Sequence, residues 1–82
     1  MDNDKTVRNV FLETVLTQIE SGDPPETKAT LDRLMAAGQS RSQALHHIAA
    51  ALQAEMNRML SESVPFDNAR YAALLEKIPT EG

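Results

Sequence analysis

From Gln39 to Val64 neither glycine nor proline interrupts the chain, and within that stretch Leu45, Ile48, Ala49, Leu52, Met56, Met59 and Leu60 recur at spacings of three and four. Such positions stay on one side of an α-helix for about six turns at 3.6 residues each. The spacing predicts a helix over about 41–62, roughly 33 Å long at 1.5 Å per residue. In a chain of 82 residues everything else must be arranged around it.

The remaining punctuation cuts out three more helices. Val7, Phe11, Leu12, Val15, Leu16 and Ile19 form one apolar face of a helix over about 5–20, with Asn3 or Asp4 as its cap. Ser21-Gly22 supplies a left-handed stop, and Asp23-Pro24-Pro25 prevents continuation. Asp23, Pro24 and Glu26 then read as cap, first helical residue and capping-box partner of a helix over about 24–37. That helix buries Leu31, Leu34 and Met35 and stops at Gly38. Ser40 and Gln43 form a second capping-box pair that opens the long helix. After Pro65, Asp67 caps a last helix over about 68–78, whose stripe is Tyr71, Leu74, Leu75 and Ile78, and Phe66 is placed to staple onto Tyr71. β-branched runs are absent, and the short loops make successive helices antiparallel. The expected architecture is all-α, a compact bundle of four helices forming a single domain over 1–82.

Composition narrows the function classes. Without cysteine there is no disulfide, thiolate metal site or cysteine nucleophile. Twelve acidic against eight basic residues leave a formal charge of −4, and the cations are scattered, which disfavours a phosphate-tracking surface. Met1-Asp2-Asn3-Asp4 lacks the basic start of a secretion signal and no stretch approaches about 20 apolar residues, so a cytoplasmic protein without membrane contact is expected.

Candidate chemistry is thin. His46 and His47 are adjacent, so a regular helix points them about 100° apart and they cannot chelate one ion; positions three and four away are Ser42, Gln43, Ala50 and Ala51. Asp23, Glu26 and Asp67 sit at helix starts, where capping explains them, and the other acids are read as solvated. Ser40 is a cap, and no serine has a nucleophile-elbow setting; the isolated glycines make no phosphate loop. No catalytic, cofactor or metal residue is assigned, and the chain is expected not to be an enzyme.

Three resemblances bear on this. The segment Leu34-Met35-Ala36-Ala37-Gly38-Gln39-Ser40-Arg41-Ser42-Gln43-Ala44-Leu45 resembles the loop of ubiquitin-associated domains, with Gln39 in place of the usual aromatic and a longer following helix. It also resembles a DNA-reading helix-turn-helix, with Leu34 where a small residue is normal and Gln39 where an apolar one is. Pro24-Pro25-Glu26-Thr27, Leu34 to Gly38, Ala44-Leu45, Glu55, Pro65-Phe66-Asp67, Arg70-Tyr71 and Ile78-Pro79 together resemble a short helical module of uncharacterised bacterial proteins, which implies a bacterial cytosolic origin and no particular site.

Opposite the line through Leu45 and Leu52 lie His47, Ala50, Ala51, Ala54 and Arg58, where small side chains would let another helix approach. The expected function is a non-enzymatic protein–protein interaction module, with this face meeting a protein partner or a second copy. The alternative is a weak DNA-binding or regulatory subunit reading through Arg41, Ser42 and His46.

Overall fold

The computed structural model describes residues 3–80, with side chains from Val10 to Thr80. Over that range the architecture is all-α: α1 (Asn3–Ser21), α2 (Pro25–Ala36), α3 (Arg41–Glu62) and α4 (Asn68–Glu76). The expected cap at Asn3 or Asp4 and the core position Val7 lie outside the described side chains.

Most helix ends form as their residues demand. Gly38 adopts a positive φ of 106°, which lets its N–H reach Met35 O and the Gln39 N–H reach Leu34 O, so the last carbonyls of α2 are paired. At the start of α3 the Ser40 hydroxyl accepts from the Gln43 N–H while the Gln43 side chain accepts from the Ser40 N–H. Asp67 accepts from the N–H groups of Ala69 and Arg70, and the Phe66 and Tyr71 rings meet edge to face with centroids 5.7 Å apart. The α2 start differs from expectation. Its cap is Pro24, which has no acceptor side chain, and Pro25 takes the first helical position, where a missing N–H costs nothing; the Asp23–Glu26 capping box does not form.

α3 is the common partner: α1, α2 and α4 all pack on it, and α2 also packs on α1 and α4. The core unites Val15 of α1, Leu31 and Leu34 of α2, Ala44, Ile48, Ala49, Ala51 and Leu52 of α3, and Tyr71 and Leu75 of α4. On α3 this is a rotation from the expected line. Leu45, Met56 and Met59 are only half-buried and Leu60 is 72% exposed, whereas Ala44, Ala51 and Glu55 turn inward, because α2 and α4 both cover that side. Leu16 and Met35, also expected in the core, are exposed.

Leu52 is 2% exposed at the centre of this cluster. Leu52→Ala should lower unfolding free energy by about 2–5 kcal/mol, the cost of a buried leucine truncation that leaves a cavity. Urea denaturation of the two proteins measures it.

Candidate functional site

The strongest local electrostatics belong to Glu55, one turn beyond Leu52 and 1% exposed. The Arg58 fork grips it, with Nε donating to Oε1 at 3.0 Å and Nη2 to Oε2 at 2.8 Å. The Asp67 backbone N–H adds a bond to Oε2 at 3.0 Å, and the Arg70 Nε lies 3.6 Å from Oε1. Arg58 also reaches Glu62 at 3.2 Å. Hydrogen bonds from Arg58 hold the Glu55 carboxyl down at about 2 from the ordinary 4.5; burial opposes this, and the Asp67 N–H and the charges of Arg58 and Arg70 reinforce it. The same pairing raises the Arg58 pKa. Both oxygens are engaged, so Glu55 ties the α3–α4 turn to α3 and has no lone pair presented to solvent for proton transfer.

A second polar cluster joins α1, α2 and α4. The Thr27 hydroxyl donates to Gln18 Oε1 at 2.8 Å and the Tyr71 hydroxyl donates to the same oxygen at 2.9 Å. With both protons so placed, the 3.4 Å contact between the hydroxyls carries none. Burial raises the Tyr71 pKa, which keeps the phenol a neutral donor. Farther along α4, Arg33 donates to Leu75 O and Ile78 O, and buried Gln39 donates through Nε2 to Pro79 O and Thr80 O. These clusters are inward-facing and satisfied by the chain's own groups, except that Gln39 Oε1 is buried without a hydrogen-bond partner.

Outward, the expected partner face is split. His47, Ala50 and Ala54 are exposed, but Ala51 is 8% exposed in the core and Arg58 is folded onto Glu55. The rotation that brings Ala44, Ile48 and Ala51 inward moves the free side of α3 away from Ala51, to Gln43, His46, His47, Ala50, Gln53, Ala54, Asn57 and Ser61, all exposed. Taken at 100° per residue these fall within about 120° of arc, and none is an acid, a lysine or an arginine. The strip runs about 27 Å along the axis from Gln43 to Ser61.

Grooves border the strip on both sides. Towards α1 lies a cavity of about 360 Å³ lined by Phe11, Leu12, His46, Ala49, Ala50 and Gln53. Towards α4 is a more open one of about 310 Å³ whose walls include His47, Ala50, Ala51, Leu74, Lys77 and Ile78. Ala50 belongs to both. The adjacent histidines therefore serve different grooves, and His46 Nδ1 lies 2.8 Å from Ser42 O. Among the described residues, no group of three or more His, Cys, Asp or Glu is placed to hold a metal ion, and no helix is long and apolar enough to cross a membrane.

Reasoning from sequence missed Glu55, Gln39, Thr27 and Gln18. The signal available was Glu55 itself, an acid three before Arg58 on the side that α4 must cover. Comparison of the chain with known protein families, characterised proteins and solved structures gave no match.

The Glu55 pairing has a pH signature. A carboxyl lowered in the folded state contributes stability above its unfolded pKa, and that contribution is lost as pH falls from about 4.5 towards about 2. Glu55→Gln should be less stable than wild type at pH 7, and the gap in urea midpoint should shrink steadily between pH 5 and pH 2.5. Parallel curves for the two proteins would show that the carboxylate contributes nothing through its charge.

Proposed function

We propose that the chain is a non-enzymatic protein–protein interaction module whose contact surface is the exposed strip of α3, with a second copy as its partner. The observation that carries this reading is the absence of formal charge along the strip, His46 and His47 being counted as neutral, in a protein of net charge −4. Copies of an acidic protein repel through most of their surfaces. They meet at least cost where neither presents charge. A two-fold contact also needs a surface complementary to itself, and a ridge of Ala50 and Ala54 edged by amide and imidazole side chains lets two helix backbones approach while polar groups pair across the border.

The structure lends less support to the DNA-reading alternative. Arg41 and Ser42 are exposed at the start of α3, but of the five other described cations Lys28, Arg58 and Arg70 are paired with carboxylates and Arg33 with the carbonyl oxygens of Leu75 and Ile78, while Lys77 is exposed beyond the end of α4. That disperses the charge a phosphate backbone requires.

Sedimentation equilibrium between about 5 and 200 µM tests self-association. The expected mass is twice 9.0 kDa at the upper end, returning to the monomer in Ala54→Glu, which places like charges at the centre of the contact. A wild-type protein that stays at 9.0 kDa throughout would reject the second copy as partner.

A further inference from the structure

The groove between α1 and α3 has a more specific chemistry than the strip beside it. Its walls are the Phe11 ring and Leu12 on one side and Ala49 and Ala50 on the other, with His46 and Gln53 as its polar members. His46 Nδ1 sits 2.8 Å from the Ser42 carbonyl, and a carbonyl oxygen only accepts. In the neutral ring Nδ1 therefore carries the proton, and Nε2 is left as a lone-pair acceptor. A cavity of about 150 Å³ already takes a benzene ring, so about 360 Å³ has room for fused rings stacked on or against Phe11.

We infer that this groove is an anchor pocket for a donor-bearing aromatic side chain, an indole foremost, supplied by a partner protein of a different kind. Apolar walls select the ring, and the His46 acceptor with the Gln53 carbonyl selects its N–H. Tryptophan and tyrosine are the side chains that most often dominate interface energetics by filling such pockets. A second copy can supply neither an indole nor an accessible phenol: the chain has no tryptophan, and its single tyrosine, Tyr71, is fully buried and already donates to Gln18; the imidazole of an exposed histidine is a smaller ring than the groove has room for. The inference rests on reading the chain as an interaction module, but not on its self-association, which sedimentation decides separately; because His46, Ala50 and Gln53 belong to both surfaces, the two partners exclude one another.

Titration of ¹⁵N-labelled protein tests it, at a concentration where sedimentation shows a single species. Indole should give saturable amide shifts confined to the region of Phe11, His46, Ala50 and Gln53. Removing the donor with 1-methylindole should weaken binding about threefold to tenfold, the range expected for one net hydrogen bond. Ala50→Leu should abolish the shifts while its circular dichroism stays that of wild type, since Ala50 is exposed. N-acetyltryptophanamide, which carries the backbone of a partner's residue, should bind at least as well as indole. Absence of saturable shifts, or equal affinity for indole and 1-methylindole, would overturn the pocket. Binding of indole with exclusion of N-acetyltryptophanamide would overturn the protein source and leave a small-molecule site.

Discussion

One helix has to serve three others, and nearly every feature of this protein follows from that constraint. α3 presents Ala44, Ile48, Ala51 and Leu52 to its neighbours, and α1, α2 and α4 divide that surface between them. The inward residues are small at two of these four positions, so the neighbouring helices can approach closely. Among the described residues ten buried apolar side chains make a modest core, and a chain this short has little stability to spare.

Polar groups supply what the apolar core lacks, and they concentrate on α4. That helix has nine residues, fewer than an isolated helix needs to persist in water, and buries fully only Tyr71 and Leu75. Its start is fixed by Glu55 through the Asp67 N–H, its middle by the Tyr71 hydroxyl on Gln18, and its end by Arg33 and Gln39 on backbone oxygens from Leu75 to Thr80. These contacts come from α1, α2, α3 and the α2–α3 turn, so α4 is stitched to every other part of the fold. Each bond also requires a particular register, since a shift of one residue along α4 would leave buried Glu55 and Gln39 without their partners; breaking buried, charge-assisted bonds costs far more than forming them gains.

The sequence made the elements legible and their rotation illegible. Gly38, the Ser40–Gln43 box, Asp67 and the Phe66–Tyr71 staple are local devices whose physics involves residues within five positions, and they form as read. The Asp23–Glu26 box fails for an equally local reason: the next proline competes for the first helical position and shifts the cap to Pro24. Which side of α3 faces inward is a different kind of question. Leu45 to Leu60 form one apolar stripe, but Ala44, Ala51 and Glu55 form another a fraction of a turn away, and packing chooses between them. The choice depends on where α2 and α4 lie, information that hydropathy along one helix does not contain. Glu55 illustrates it best: a carboxylate scored as polar is buried because Arg58 and the Asp67 N–H, twelve residues on, neutralise the cost.

The same rotation shapes the candidate site. With Ala51 drawn inward and Arg58 folded onto Glu55, the expected five-residue face contributes only His47, Ala50 and Ala54 to the exposed strip. The loss of Arg58 is what leaves that strip uncharged, so the buried ion pair and the neutral outer face are two consequences of one packing choice. A salt bridge that contributes little net stability over an apolar core can still matter here, because it removes a charge from the surface as well as fixing α4. Ala50, shared by both grooves, marks where the two sides of α3 meet: its inward neighbours hold the bundle together, and its own small side chain leaves the outer surface unobstructed.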